Sequence, residues 1–540
     1  MILALVLLLA APKWDLAPLI EKVENDLEAW DIEGAQKGLD DLVADYPDTP
    51  ETAYFRGRVL FEQGKYEEAA KAFEAAGGGR DLRKGPSQLA NDLKLAKAAA
   101  EETSGDETFE SAHFVLKTRP GKDTLLAPYA LEALERAYLG LTKDLGIEPE
   151  AKVRVEVYDS ARSLAHVSPL TVEEIKASGT IALCKHNRLM ITSPKALLRG
   201  YPWLDTLSHE FVHYLVTKKG RNSVPIWLQE GLAKFLETRW RGAPGLAVDE
   251  LSLHLLQVAA KKHTLIPFAR MHPSIAKLPT QEQAALAFAE VEAAIRLLYQ
   301  RGGQAALTEL VSAMAHGFTD EQAVAQAYGK SFGKFETDWR EEVGKPRTKA
   351  ASDKNVRPAV ARKLIFKEDA KGKTEPGQLQ GTAPEAAPAD GDGKKAIRLG
   401  EILFARKRWG AAAKEYGKAR AQLSREVPQI SRRYAFAQVQ LGNWDEAKGA
   451  LQSAVAKDPE DEAAQALLAR VLIEEKEWQP ARAALDQGIA VDPFDPELHA
   501  LYVAVAKGLA DVKLEEREMR AFKLASGVAP IQEKASKEGK

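Results

Sequence analysis

The sequence predicts a mostly helical chain: an α+β domain, a mixed sheet plus a helix rich in ligand-type side chains, set between two all-α segments of repeated helix pairs. Three observations predict this. Small and aromatic residues recur at 34-residue intervals near both ends of the chain. Alternating apolar stretches, the mark of strands, lie between those ends. In the same middle part, His209-Glu210-x-x-His213 sits on a run whose apolar residues have helical spacing.

At 540 residues the chain is too long for one ordinary domain, and 45% hydrophobic residues support real cores. A formal charge of -3 makes no electrostatic case for nucleic acid, and no stretch reads as a concentrated basic face. The single cysteine, Cys184, excludes an intramolecular disulfide.

Residues 1–12, MILALVLLLAAP, form an apolar run of signal-peptide length, too short to span a bilayer, with Ala10-Ala11 near a cleavage point. No Lys or Arg precedes it, and an apolar helix start is the competing reading. The expectation is an exported protein, periplasmic or cell-envelope associated, with no stable membrane span. Residues 13–103 read as helical repeats plus a docking helix. Ala35, Leu39 and Leu42 recur as Ala69, Phe73 and Ala76, and Gly57, Gly64-Lys65-Tyr66 and Ala69 match the tetratricopeptide pattern. Two repeats are few for independent stability, so a helix over 87–102 is expected to cap them or dock them on the next domain.

Residues 104–344 are the α+β domain. Phe109 to Leu116 reads as a strand, Leu125 to Leu145 as an amphipathic helix ended by Gly146, and Lys152 to Tyr158 as a second strand. Gly179 to Ser193 reads as one bent strand or a hairpin with its turn near Asn187. Cys184 and His186 share a face of that strand; they read as a packed or edge-exposed pair, with a second metal site or an inhibitory thiolate as the sharper alternative. Residues 239–343 are helical by period. Residues 345–395, rich in Lys, Ala, Pro, Gly and Asp, cannot offset chain entropy by burial and read as a disordered linker. The alternative there is a docking segment around Leu364 to Phe366. Residues 396–526 form a second tetratricopeptide array with capping helices, its phases opened by Trp409, Trp444 and Trp478. Such arrays usually bind a peptide or a protein partner. Residues 527–540 are a polar tail.

The chemistry concentrates in SHEFVHYL and PIWLQEGLAKFLE. On a helix from Pro202 to Gly220, His209 and His213 lie on one face and can grip one metal ion. A catalytic zinc uses three protein ligands plus a water, and Glu230 is the obvious third, on a second helix starting near Pro225. Gly231 beside it has no side chain to hinder close approach of the two helices. Glu210 would be the general base for the zinc-activated water. The bland reading is two structural histidines on an amphipathic helix.

HEFVHYL followed by W-L-x-E-G-L-A resembles the gluzincin branch of zinc peptidases, and within it the bacterial peptidase MA-like domains, which often occur beside tetratricopeptide repeats. The resemblance extends over about 109–343, with its specific part in some thirty residues. It implies a zincin-like fold, one Zn2+ held by His209, His213 and Glu230, Glu210 as base, and a peptide or protein substrate. It also implies that the strand before the helix holds extended substrate by backbone pairing. His254, His263, His272, Tyr214 and Tyr299 are the candidates for oxyanion stabilisation. One departure stands out: thermolysin-like members carry an acidic residue four after the ligand Glu to orient a histidine, and this chain has Lys234 there. The competing functional reading is a non-catalytic tetratricopeptide scaffold carrying a degenerate, peptide-binding zincin domain.

Overall fold

The computed structural model describes residues 15–77, 86–242, 250–345, 364–369, 391–423 and 426–527. The apolar run 1–12 and the tail beyond Gly527 lie outside them. Among the described residues, no helix is long and apolar enough to cross a membrane.

The N-terminal segment is two helix hairpins, α1 (Leu16–Glu28) with α2 (Ile32–Asp45) and α3 (Pro50–Glu62) with α4 (Tyr66–Ala76), followed by α5 (Pro86–Thr103) packed on α4. The small residues of the repeat sit where helices cross: a Cβ on Gly57 would come within 2.6 Å of the Phe73 ring.

The middle domain carries a five-stranded mixed sheet, built from β1 (Glu107–Glu110), β2 (Phe114–Thr118), β3 (Val153–Tyr158), β4 (Ala182–Lys185) and β5 (Arg188–Thr192) in the order β1-β2-β3-β5-β4. β2, β3 and β5 run parallel; β1 and β4 are antiparallel edges. Helices α6 (Leu126–Leu145), α7 (Ala161–His166) and α8 (Val172–Ser178) provide the crossovers. α9 (Trp203–Lys219) packs against β4, β5 and α6. Then come α10 (Ile226–Leu236), α11 (Glu250–Lys262), α12 (Gln281–Ala315, broken at Gly303), α13 (Asp320–Tyr328) and α14 (Phe332–Gly344).

Three expectations are corrected. Phe109 to Leu116 is not one strand but a tight hairpin, with Glu110 opposite Val115 and the Ser111 N–H bonded to the Phe114 carbonyl at 3.0 Å. Phe109 and Phe114, five residues apart, would face opposite sides of a straight strand. Gly231 does give close approach, but to α12: its Cβ would meet Ile295 Cγ1 at 2.7 Å and the Val291 carbonyl at 2.8 Å. The stretch read as a disordered linker contains a docked piece. Leu197 and Phe366 form a β-bridge, the Leu198 N–H bonds the Ile365 carbonyl at 2.9 Å, and Phe366 is buried. Residues 346–363 and 370–390 lie outside the described chain. The 179–193 segment is the hairpin alternative, turning at His186-Asn187, both with positive φ.

The C-terminal array is four helix pairs, α15 (Gly391–Ala405) with α16 (Trp409–Gln422), α17 (Pro428–Val439) with α18 (Trp444–Lys457), α19 (Glu462–Glu474) with α20 (Trp478–Ile489), and α21 (Pro496–Gly508) with α22 (Val512–Ser526). Its first helix starts at Gly391, five residues before the expected boundary.

Both arrays pack directly on the middle domain. From the N-terminal side, the Glu62 carbonyl accepts from Arg154 at 2.6 Å, and buried Arg188, paired with Glu156 at 3.1 Å, lies against the rings of Phe61 and Tyr66. The end of α9 reaches α1, where Asn222 donates to the Glu28 carbonyl at 3.0 Å. Its start meets the other array. The Trp203 N–H bonds the Ala490 carbonyl at 3.1 Å, the Trp203 indole N–H bonds the Ile489 carbonyl at 2.9 Å, and the Tyr201 N–H bonds the Val491 carbonyl at 3.1 Å.

Candidate metal centre

α9 begins after Pro202 and α10 after Pro225, positions where a missing N–H costs nothing. The two helices pack so that one turn of α9 faces the first turns of α10. His209 and His213, four residues apart, share a face. Their Nε2 atoms are 3.1 Å apart, and each lies 3.3 Å from Glu230 Oε2. Among the described residues this is the one group of three His, Cys, Asp or Glu side chains whose ligand atoms could share an ion.

The other ring nitrogens explain why Nε2 points inward. His209 Nδ1 lies 3.1 Å from Glu237 Oε2, a carboxylate that only accepts when ionised. His213 Nδ1 lies 3.3 Å from Gln229 Oε1, and Gln229 Nε2 donates to the Val224 carbonyl at 3.0 Å, which fixes the amide with its oxygen toward the ring. Both Nδ1 atoms are therefore donors, so each imidazole, when neutral, turns an Nε2 lone pair inward. With both rings neutral, these nitrogens and the carboxylate oxygen would repel one another at this separation unless a cation, a proton or a metal ion, lay between them. Contacts of 3.1–3.3 Å also suit ligands bound at about 2.0–2.1 Å in a tetrahedral zinc site. The residues fit the metal.

The site's electrostatics favour positive charge. Burial opposes protonation of His209, but hydrogen bonds to Glu230 and Glu237 outweigh it and carry its pKa up to about 10. Burial pushes Glu230 up, yet the two imidazoles hold it far below the usual carboxylate range. Glu210, on α9 beside His209, is held above the usual range, by burial first. His213, His209 and the Cys184 backbone N–H, which donates to its carboxylate from β4, pull the other way.

The remaining candidates fall elsewhere. His186 is in the β4–β5 turn, 3.1 Å from Glu62 and edge-on to the Phe61 ring, so Cys184 and His186 do not form a second metal site. Burial, with the Glu210 charge, holds the Cys184 thiol well above its ordinary pKa, which opposes a thiolate. Tyr214 packs its ring against Trp30 and Phe211, and Tyr299 packs on Phe235. His254 lies on α11, and His263 and His272 are exposed. Sequence reasoning missed Gln229 and Glu237. Glu237 was findable: seven residues after Glu230 is two helical turns, hence the same face.

Residues 133–345 match the family model of the Peptidase MA superfamily, and tetratricopeptide repeat models match residues 23–81, 403–468 and 446–505. The chain thus carries a Peptidase MA superfamily domain flanked by tetratricopeptide repeats. Among solved structures, it is similar to native yeast LTA4 hydrolase at 12% identity and a TM-score of 0.29, covering 78% of this chain and 64% of that one. Yeast LTA4 hydrolase in complex with Bestatin matches at 13% identity and a TM-score of 0.27, over 78% of this chain and 65% of that one. The APC/C hetero-tetramer Cut9-Hcn1 matches at 12% identity and a TM-score of 0.24, over 96% and 82%. The chain thus spans less than two thirds of the length of the LTA4 hydrolase it matches, and at these scores the likenesses carry no argument about function. No curated protein sequence matches the chain.

Proposed function

From a Peptidase MA superfamily domain flanked by repeats as the premise, we propose that the chain is a zinc metallopeptidase of the gluzincin type. His209, His213 and Glu230 hold the metal and Glu210 is the general base. The observation that carries this reading is the convergence of the two Nε2 atoms on Glu230, with both outer nitrogens tied back to acceptors. Zinc, when bound, supplies a Lewis acid and a water of pKa about 7.

The chain's own groups do the rest. Glu210, with its raised proton affinity, takes a proton at its carboxylate and gives it to the departing amine. β4 is the sheet edge beside it. The two-residue turn makes Lys185 and Arg188 a hydrogen-bonded pair, so pairs alternate and Ala182 and Cys184 turn their N–H and C=O groups away from β5. An extended peptide adding to that edge passes Cys184, whose N–H already meets Glu210, so the cleaved bond lies opposite Cys184. The repeats recruit substrate or partner proteins.

The test is zinc per chain and hydrolysis of a quenched peptide library, for wild type, Glu210→Gln and Glu230→Ala. Wild type and Glu210→Gln should each hold about one zinc, with cleavage by Glu210→Gln down by roughly 10²–10⁴-fold. Glu230→Ala should lose the metal. Wild-type cleavage by Glu210→Gln would end the assigned mechanism, and no zinc in reconstituted wild type would end the metallopeptidase reading.

A further inference from the structure

Among the described residues, the C-terminal array begins with an uncovered stacking face. In such arrays the first helix of each repeat packs on the second helix of the repeat before it. Counted from Ala412, Ala447 and Ala481, the positions of Leu399 and Ile402 in α15 recur as Tyr434 and Ala437 in α17, and as Leu468 and Val471 in α19. A further 34 residues on they are Tyr502 and Val505 in α21. These later residues meet the preceding helix. The Tyr434 ring lies beside Gly417 and under Arg420 of α16, and the Tyr502 hydroxyl bonds Asp486 of α20. Ala437, Val471, Tyr502 and Val505 are fully buried. Leu399 and Ile402 are 45% and 43% exposed, and no helix among the described residues precedes α15 in the array.

The same end is strongly basic. Residues 394–433 hold 12 Lys and Arg against 3 Asp and Glu, in a chain of net charge -3. Lys394, Arg398 and Arg406 share a four-residue ladder with Ile402. All three are exposed and have no acidic partner among the described residues.

We propose that this face docks an acidic amphipathic helix of a partner protein, in the place a preceding repeat's second helix would take. A helix fits because a helix covers the corresponding residues in every later repeat. Apolar residues at i, i+3 and i+4 would meet Leu399 and Ile402, and flanking Asp or Glu would meet the ladder of cations. A second copy fits less well: it would set Lys394, Arg398 and Arg406 against their own counterparts, and the far end of the array, α22, sets Arg520 and Lys523 beside its exposed Met519. Residues 370–390 fit less well too, with Pro376, Pro384 and Pro388 and a single large apolar residue, Leu379. The inference rests on the repeat geometry and not on the peptidase reading.

The test uses the full chain and a fluorescein-labelled helical peptide of about 18 residues, with Leu at i, i+3, i+4 and i+7 and Glu on both flanks. Controls are the same peptide with Lys for Glu, and a version interrupted by two prolines. Fluorescence polarisation should show the acidic helix binding about tenfold or more tightly than either control. Ile402→Asp and the surface pair Arg398→Glu with Arg406→Glu should each weaken it about tenfold. Leu441→Asp, at an exposed position in the turn after α17, should not. Zinc per chain, unchanged in these variants, separates this outcome from any failure of the peptidase reading. Three results would overturn the proposal: equal binding of the proline-interrupted peptide, binding that appears only after deletion of 370–390, or concentration-dependent self-association abolished by Ile402→Asp.

Discussion

His209 and His499 both meet glutamates away from bulk solvent, yet their surroundings differ in one respect that separates a site from a staple. His499 Nδ1 lies 2.8 Å from Glu518, and its Nε2 lies 2.7 Å from the Pro493 carbonyl. Glu518 also accepts from the Tyr129 hydroxyl and from Arg517 Nε, each at 2.8 Å. Every polar atom of that cluster faces a partner in the chain, and the cluster fastens α21 and α22 to α6. At α9 the outer nitrogens are satisfied in the same manner, but the inner ones converge on each other and on Glu230, where a proton or a metal ion must lie between them. Burial and a nearby carboxylate are common to both clusters. What marks the candidate centre is a satisfied outer network that leaves donors converging on one point.

That contrast can be broken in a graded series. The largest effect belongs to the staple. His499→Ala leaves Glu518 and Tyr129 buried without their shared partner and should cost about 3–5 kcal/mol, read as a fall in the urea midpoint, with zinc per chain unchanged. Loss of zinc with no loss of stability would invert the two roles. Next is Glu237→Gln. It keeps the size of the group beside His209 but removes the charge, and should lower zinc affinity about 10- to 100-fold while the fold holds. Chelator competition measures this, and unchanged affinity would show that the outer acceptor does not prepare His209. The smallest effect sharpens the comparison with a third buried acid. Glu290 accepts the Ile266 N–H through both oxygens, at 3.0 and 3.1 Å, and has no imidazole partner. Burial, above all, raises its pKa from 4.5 to about 8. Between those values the folded state keeps a proton that the unfolded chain has released, so stability is lost as pH rises from about 4.5 to about 8. Glu290→Gln should flatten that decline, seen by comparing denaturation of the two proteins at pH 5 and pH 9. An identical slope in the variant would remove Glu290 as its cause.

Much of this arrangement was legible because it is written in local spacing. The 34-residue recurrence marked both arrays, and i, i+4 histidines with a carboxylate on the next helix gave the three side chains that meet. What escaped depends on contacts distant in sequence. Lys234 occupies the place where an acidic partner was sought, yet it pairs with Glu237 at 2.5 Å, and it is Glu237 that reaches His209. The docking of 364–369 hangs on one buried aromatic, Phe366, inside a stretch whose composition argues for disorder. Gly231 is a point of close approach, but to α12 and not between the two helices of the site, a neighbour that local spacing does not name.

The hold that Ala490 and Val491 keep on the start of α9 sets a timetable. A chain emerging from the ribosome presents His209, His213, Glu230 and Glu237 long before the carbonyls that receive the N–H groups of Tyr201 and Trp203 have been made. At about 5–20 residues per second, the interval is tens of seconds. Throughout it, the helix that brings the two histidines together lacks its anchor. The ligands are thus synthesised well before the segment that anchors their helix, and a nascent molecule lacks that anchor until Ala490 and Val491 have emerged and packed on it.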